Sequence, residues 1–269
     1  MPSFVYFGTP EVARATLEAL LAAGMRPVAV ITNIDAPKGR GRVLTPSPTK
    51  AYAESAGIPV LTPETLDEEA IAAIRAYGAE LAVVVAYGKI FPQALIDTFP
   101  MGAINVHYSL LPKYRGATPM EAALLNGDAE TGVTIQRLAL ALDAGDILAQ
   151  EETPIAAGET ARELRPRLIE LGATMLVELL PRLAEVTPTP QDNALATRAR
   201  KFKKEDGELD LAAPAEENWR KYRAYADTIG TYFFKDGVRH KITQASYKDG
   251  YFKVERVTPE GKREQDYQP

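Results

Sequence analysis

The chain has 269 residues, 46% hydrophobic and 25% charged, which is ordinary for a globular protein of one large or two moderate domains. It has no cysteine and only two histidines, so disulfides, thiolate metal sites and multi-histidine metal sites are excluded. The N-terminus lacks the basic start of a signal peptide, and no apolar run approaches the roughly 20 residues that span a bilayer. We therefore expect a cytoplasmic protein.

The charge is distributed unevenly. The formal net charge is −5, yet the part from Arg198 onward holds 16 Lys and Arg against 13 Asp and Glu, while the preceding part holds 15 against 23. This distribution argues against a protein that binds nucleic acid over its whole surface. It is compatible with a local binding surface in the mildly basic C-terminal part.

Strands and helices alternate through the first half of the sequence. Apolar runs predict strands at residues 3–7, 27–32, 59–61, 80–86 and 103–107, and helical patterns lie between them. In the first turn, Thr9 is the predicted N-cap and Pro10 the first helical residue. This order is typical of an α/β fold with a Rossmann-like, doubly wound, mostly parallel sheet. Because the turn lacks the G-x-G-x-x-G pattern, a dinucleotide is not inferred.

Residues 33–48 form a predicted polar loop that is longer than usual connections between a strand and a helix. Three cations, Lys38, Arg40 and Arg42, are separated within it by single glycines. Such a loop can wrap around a phosphate backbone, although a solvated loop explains this segment equally well.

The strand at residues 103–107 carries two polar side chains. Asn105 and His107 alternate with Ile104 and Val106, so they share one face of the strand. A carboxamide and an imidazole at a strand end can stabilise a carbonyl oxygen that gains negative charge. Taken alone, the pattern favours a structural histidine. The turn at residues 87–90 follows the neighbouring strand and should lie on the same carboxyl edge, where open α/β sheets bind ligands.

The second half of the sequence predicts a further domain. A helix at residues 118–125, a strand at 132–138, an acidic turn containing Asp143 and a long helix at 160–184 complete a domain of residues 1–185. A proline-rich linker at 186–200 separates it from residues 201–269, where Asp-Gly turns between strand-like runs predict a small, open, OB-like β-barrel.

Asn105, His107 and Asp143 together suit direct acyl transfer. A carboxylate can orient an imidazole and favour its protonated form. The protonated His107 and the Asn105 amide would then bracket an oxyanion, with the attacking amine supplied by the substrate, since no Cys or Ser nucleophile with triad partners is evident.

Several motifs resemble those of the methionyl-tRNA formyltransferases over nearly the whole chain. The Asn-x-His pattern with a later Leu-Asp-x-Gly is typical of the wider folate-dependent formyltransferase superfamily. The Lys-Gly-Arg-Gly-Arg loop before Pro-Ser-Pro is more specific to the branch that acts on tRNA. The matching segments are residues 7–11, 38–42, 46–48, 84–90, 105–112, 115–116, 131–135, 142–146, 204–207 and 259–262.

The resemblance implies a cytoplasmic, monomeric enzyme that transfers the formyl group of 10-formyltetrahydrofolate to the α-amino group of methionyl-initiator-tRNA, without a metal. It implies a catalytic domain at residues 1–185, a tRNA-binding domain at 201–269, and catalytic roles for Asn105, His107 and Asp143. The folate site would be bordered by Tyr87, Gly88, Lys89, Ile90, Ser109, Leu110, Leu111 and Pro112. The tRNA would be contacted by Lys38, Arg40, Arg42, Arg198, Arg200, Lys201, Lys203 and Lys204.

Two other functions are compatible with parts of the sequence. A formyltransferase that acts on a nucleotide-linked amino sugar would use the same chemistry, but it would need neither the basic loop nor the C-terminal domain. A folate- or RNA-binding module without catalytic activity would not need Asn105, His107 and Asp143 together. Within the resemblance, Ala141 and Ala144 flank Leu142-Asp143 where Gly and Thr are more usual, and residues 225–230 replace a Pro/Trp-rich turn. A C-terminal domain shorter than is usual in the family is expected.

Overall fold

The structure, a computed structural model, describes residues 1–39 and 41–268, and they form two compact units. The first unit consists of residues 1–112, 133–151 and 168–196, and the second of residues 113–132, 152–167 and the chain from 197 onward. Both units are therefore discontinuous in sequence. The domain boundaries at residues 185 and 200 stay a prediction.

Seven α-helices and fifteen strands are assigned within the described residues. In chain order they are β1 (Phe4–Gly8), α1 (Glu11–Ala22), β2 (Ala29–Ile31), β3 (Ala36–Lys38), β4 (Val43–Thr45), α2 (Pro48–Ser55), β5 (Val60–Leu61), α3 (Glu68–Arg75), β6 (Leu81–Val85), α4 (Gln93–Ile96), β7 (Ala103–His107), β8 (Arg115–Gly116), α5 (Pro119–Asn126), β9 (Glu130–Arg137), β10 (Ile147–Pro154), α6 (Ala161–Leu179), β11 (Arg198–Ala199), α7 (Ala215–Tyr225), β12 (Thr231–Lys235), β13 (Val238–Lys248), β14 (Tyr251–Pro259) and β15 (Gln265–Asp266). Short 3-10 helices occupy Leu180–Glu185, Asn193–Leu195 and Lys204–Gly207.

A seven-stranded sheet organises the first unit in the order β10-β9-β7-β6-β1-β2-β5. The pairs from β7 through β6, β1 and β2 to β5 are parallel, whereas β9 runs antiparallel to β7. Strands β1 and β6 are buried along their whole length, which explains their uninterrupted apolar sequences. The predicted doubly wound, mostly parallel α/β fold is confirmed. The order of strands reverses at β1, so the tips of β1, β6 and β7 share one carboxyl edge.

The first turn differs from the prediction in its capping. Helix α1 begins at Glu11 with Pro10 at the N-cap, so the predicted N-cap at Thr9 is wrong by one residue. The Thr9 hydroxyl instead donates a hydrogen bond to the carbonyl of Tyr87 on the neighbouring tip. Gly8 has to be a glycine, because a Cβ there would lie 2.5 Å from the Cβ of Ala13. The Thr9 side chain therefore joins two strand tips and does not cap helix α1.

The predicted polar loop at residues 33–48 contains regular structure. Its strands β3 and β4 pair antiparallel as a small hairpin, with Lys38 opposite Val43. All three residues of β3 are exposed, so the hairpin lacks a buried face that an apolar pattern would reveal. The prediction of an irregular loop over this whole segment is therefore wrong.

An antiparallel sheet of four strands, in the order β12-β13-β14-β15, dominates the C-terminal part of the second unit. Both predicted Asp-Gly turns are present, because Asp236-Gly237 and Asp249-Gly250 adopt positive φ angles. Phe233, Ile242 and Val257 are central to the core beneath this sheet. The predicted C-terminal β domain is confirmed.

Residues 186–200 make backbone hydrogen bonds in each of the two units. In the first unit, Thr189 and Ile147 exchange two hydrogen bonds of 2.8 Å. In the second unit, β11 pairs in parallel with β8, and Gly116 comes so close that a Cβ there would lie 2.3 Å from the carbonyl oxygen of Ala199. The proline-rich segment is thus held to ordered structure at two points.

Within residues 1–39 and 41–268, no helix has the length and apolar character that crossing a membrane requires.

Candidate active site

The carboxyl end of β7 presents Asn105 and His107 on one face of the sheet. Asn105 is half-buried and His107 is only 5% exposed, while Val106 between them is buried on the opposite face. Strand β9 places Gln136 opposite Asn105 and Thr134 opposite His107. Four polar side chains of two adjacent strands therefore lie side by side in largely buried surroundings.

The turn after β9 brings Asp143 to this strand end. Nδ1 of His107 lies 3.7 Å from Oδ2 of Asp143, which is an ion-pair distance and too long for a hydrogen bond. Asp143 has φ of 50°, a left-handed conformation that is uncommon outside glycine. At Gly145, a Cβ would lie 1.8 Å from the carbonyl oxygen of Arg137, so the turn folds tightly back onto β9. This close fold carries a carboxylate to an imidazole 36 residues earlier in the chain.

Two glutamines contact Asp143 as well. Nε2 of Gln136 donates to Oδ1 of Asp143 at 3.1 Å. Nε2 of Gln191 lies 2.7 Å from the carbonyl oxygen of Gly145, 3.0 Å from that of Asp143 and 3.2 Å from Oε1 of Gln136. Neither glutamine was among the predicted site residues. The alternation of Thr134 and Gln136 along a predicted strand is a signal for the first, whereas no local pattern connects residue 191 to this turn.

The loop after β7 is fixed by the hydroxyl of Thr134. This hydroxyl donates to the carbonyl of Ser109 at 2.7 Å and accepts from the amide of Leu111 at 3.1 Å. Nε2 of Gln150 donates both to the same hydroxyl and to the carbonyl of Leu111. Ser109 and Leu111 are buried and the bond from Leu111 to Pro112 is cis. The predicted folate residues that remain partly exposed in this loop are Leu110 and Pro112.

The side chain of Tyr87 belongs to the core of the first unit. Its ring packs edge-on against Phe7 and Phe91, and burial raises the pKa of Tyr87 to about 12. Its carbonyl accepts hydrogen bonds from the side chains of Thr9 and Asn33. Tyr87 therefore links three strand tips, and its ring faces the core and not the carboxyl edge of the sheet.

The other residues of the 87–90 turn are partly structural and partly open to solvent. Nζ of Lys89 donates to the carbonyls of Pro63 and Glu64, and partial burial lowers the pKa of Lys89. Gly88, with φ of 85°, is exposed, and Ile90 is 85% exposed. Within this predicted folate segment, the main chain at Gly88 and the side chain of Ile90 are the parts open to solvent.

The basic hairpin in the first unit is exposed. Lys38 lies in β3 and Arg42 in the turn between the strands, with φ of 48°. Arg40, the third predicted tRNA contact here, lies outside the described residues. Val43 and Leu44 beside them are 67% and 68% exposed, so apolar and cationic side chains stand together on this hairpin.

The second unit carries the other predicted tRNA residues. Arg200 forms two short contacts with the carboxylate of Asp206, of 2.6 and 2.7 Å, and they hold the pKa of Asp206 down to about 2. The backbone amide of Lys203 donates to the same carboxylate. All five predicted cations of this segment are exposed, namely Arg198, Arg200, Lys201, Lys203 and Lys204.

This arrangement has the parts for acyl transfer. An amide donor and an imidazole paired with a carboxylate can stabilise an oxyanion and move a proton. Over the described part of the chain, His, Asp and Glu side chains nowhere gather in a group of three that could hold a metal ion.

Two family models match the chain. The model described as "Formyl transferase" matches residues 3–180, and the one described as "Formyl transferase, C-terminal domain" matches residues 201–263. A methionyl-tRNA formyltransferase from Citrifermentans bemidjiense is 43% identical over 91% of this chain and 78% of its own length. One from Thermus thermophilus is 44% identical over 95% of this chain and 85% of its own length.

Solved structures share the fold at lower identity. A sugar N-formyltransferase from Shewanella superimposes with a TM-score of 0.71, covering 92% of this chain and 99% of its own, at 20% sequence identity. At that identity the likeness is one of fold alone. The two tRNA-acting relatives are more than twice as similar in sequence over a comparable share of the chain.

Proposed function

Because this chain belongs to the methionyl-tRNA formyltransferase family, we propose that it carries out formyl transfer at the carboxyl end of β7, around Asn105, His107 and Asp143. The enzyme transfers the formyl group of 10-formyltetrahydrofolate to the α-amino group of methionyl-initiator-tRNA. The observation that carries the assignment of the site is the placing of a largely buried carboxylate, 11% exposed, 3.7 Å from Nδ1 of a buried imidazole, beside a strand-end carboxamide.

Asn105 and His107 stabilise the negative charge that develops on the formyl oxygen. The carboxamide of Asn105 donates through Nδ2, and the imidazole donates when it is protonated. Asp143 beside Nδ1 favours the charged imidazole. Hydrogen bonds in a catalytic site commonly shorten only when substrate is bound, so the 3.7 Å separation is compatible with this role.

Asp143 and His107 also take part in the proton transfer of the reaction. As the α-amino nitrogen bonds to the formyl carbon, it becomes more acidic and must lose a proton. Asp143 accepts this proton, directly or through water, and the proton is returned to the folate nitrogen as its bond to the formyl carbon breaks. One C–N bond forms and one breaks, and no oxidant or metal is consumed.

The folate donor lies along two loops at the same edge of the sheet. The loop at residues 109–112 is fixed by Thr134 and offers the partly exposed Leu110 and Pro112. The turn at residues 87–90 offers its main chain and Ile90. The pterin ring therefore meets mainly backbone groups and apolar side chains here, while the buried Tyr87 and the bonded Lys89 hold the turn in shape.

The tRNA is bound by exposed cations in both units. Lys38 and Arg42 of the hairpin receive the acceptor end together with Arg40 from the same stretch of sequence, and the segment from Arg198 to Lys204 contacts the phosphate backbone. Exposed Lys and Arg bind phosphates by displacing counterions, which needs no buried pocket. Catalysis and tRNA binding thus use different kinds of surface.

The enzyme works as a monomer, since one chain supplies every residue that this site requires, and its tRNA substrate places it in the cytoplasm. Light scattering of the purified protein, at the concentration used in the transfer assay, tests the monomeric state. A stable dimer at that concentration would contradict it.

A transfer assay with matched acceptors tests the function. We expect the protein to move labelled formyl from 10-formyltetrahydrofolate to charged initiator tRNA, with free methionine and a nucleotide-linked amino sugar as controls. Transfer to the amino sugar in preference to the tRNA would identify the alternative enzyme. Binding of tRNA or folate without any transfer would identify a module without catalytic activity.

A further inference from the structure

We propose that Gln136 and Gln191 are positioning residues that set the orientation of the Asp143 carboxylate, an inference that rests on the proposed function. Together they form a hydrogen-bonded chain from the segment at residue 191, through β9, to the carboxylate. We call the three side chains the Gln191–Gln136–Asp143 chain. All three lie in the first unit.

The donors and acceptors of this chain can be arranged in only one way. A carboxylate accepts hydrogen bonds, so Gln136 must present its amide nitrogen to Asp143 and its oxygen to Gln191. Gln191 must then present its nitrogen, which also faces two backbone carbonyls that only accept. The hydrogen-bonded series ends on one side at the Asp143 carboxylate and on the other at two backbone carbonyls, and all of these groups are acceptors. If either amide flipped, its oxygen would therefore face another oxygen.

The two oxygens of Asp143 have different partners. Oδ1 accepts from Gln136, whereas Oδ2 is the oxygen nearest to Nδ1 of His107. The bond from Gln136 therefore fixes the rotation of the carboxylate and with it the oxygen that faces the imidazole. The Asp143 side chain is only 11% exposed, so this charge-assisted bond is little screened by solvent.

Gln191 anchors the turn itself. Its amide nitrogen reaches the carbonyl of Asp143, the left-handed residue, and that of Gly145 two residues later. Its own backbone is held close by, through the two hydrogen bonds between Thr189 and Ile147. A side chain 48 residues away thus stabilises a backbone conformation that aspartate seldom adopts.

The first test is kinetic. We expect Gln136→Ala and Gln191→Ala to lower kcat roughly 10- to 100-fold, the cost of slightly misplacing a catalytic group. KM for the donor and for charged tRNA should change by less than about twofold, because neither glutamine is assigned a substrate contact. Gln93→Ala is the matched control, since Gln93 donates to Asp97 at 2.7 Å on the exposed face of helix α4.

The second test is the pH dependence of turnover. Gln136→Glu keeps the size of the side chain but places a second carboxylate against Asp143. Two carboxylates at this distance share a proton, so Asp143 stays protonated to higher pH and the acidic limb of the pH–rate profile should move up by about one unit or more. Gln93→Glu should leave the limb in place. A residue 136 that does not contact Asp143 would lower the amount of active enzyme without moving the limb, and the loss of kcat in the alanine variants reports the orientation of the carboxylate.

The outcomes separate this inference from the proposed function. If the wild-type protein transfers no formyl group to charged tRNA, the proposed function fails. If the wild-type protein is active, and Gln136→Glu and both alanine variants keep its kcat and its acidic limb, the positioning role is overturned while the function stands. Should Gln191→Ala lower the melting midpoint so far that kinetics cannot be measured, kcat of Gln136→Ala and the pH profile of Gln136→Glu decide the question together.

Discussion

The end of β7 and the basic segment of residues 198–204 are both assigned to function, yet they are built in opposite ways. At β7, His107 and Asp143 are almost fully buried, and Gln136 holds the carboxylate from β9. In the basic segment the cations are exposed, and Arg200 forms an ion pair with Asp206, two residues beyond the segment. Buried polar groups act through fixed geometry, whereas exposed charges act through their number.

This difference predicts different responses to substitution. Removing one member of a buried, preorganised site leaves the remaining groups misaligned or unpaired, so a single change is costly. Removing one exposed cation takes away one phosphate contact among several, and salt screens what remains. Substitutions at the two regions should therefore differ in size and in salt dependence.

The largest effect is expected at the end of β7. Asn105→Ala and His107→Ala should each lower kcat about 10²- to 10³-fold, or about 3–4 kcal/mol, because each removes a donor to the developing oxyanion. Rapid-quench transfer assays measure the loss, and circular dichroism checks that the fold is kept. Full turnover in either variant would remove the catalytic assignment.

A somewhat smaller effect is expected from Gly145→Ala. The new Cβ would meet the carbonyl of Arg137, so the turn must move and carry Asp143 away from His107. We expect a roughly 10- to 100-fold loss of kcat and a lower melting midpoint. Unchanged kcat and midpoint would show that the turn can shift without disturbing the site, despite the tight packing of Gly145 against the carbonyl of Arg137.

Single substitutions in the basic segment should have few-fold effects. Arg198→Ala and Lys201→Ala should weaken tRNA binding modestly and reduce the slope of log affinity against log salt by about one each. The kcat at saturating tRNA should not change. Filter binding over a salt series measures the slope, and a slope equal to that of the wild type would exclude the phosphate contact in question.

The smallest effect concerns stability at acid pH. The pKa of Asp206 is about 2, below the ordinary 3.8, so its ion pair with Arg200 contributes stability above about pH 4 that is lost as pH falls toward 2. Asp206→Asn should be slightly less stable than the wild type at neutral pH, and this difference should vanish near pH 2. Denaturant unfolding at several pH values measures it. A constant difference across this range would mean that the ion pair contributes nothing.

Much of the fold could be predicted from local pattern because the elements have clear periodicity. The strands Leu81–Val85 and Ala103–His107 and both Asp-Gly turns were predicted where the structure has them. The exposed hairpin of β3 and β4 was missed, since it buries no face and its short strands carry no alternating apolar residues. The cap at Thr9 was misplaced because its hydroxyl is used by the neighbouring strand tip.

The amino-acid pattern alone was enough to place Asn105 and His107 on one face of a strand, since side-chain alternation is a local property of extended backbone. It could nominate Asp143 only by residue type and resemblance. Folding decided the rest: β9 pairs antiparallel with β7, a turn tightened at Gly145 returns the carboxylate, and Gln191 arrives from a segment predicted to be a linker. Contacts between residues that are tens of positions apart depend on sheet order and close packing, and no local periodicity encodes them.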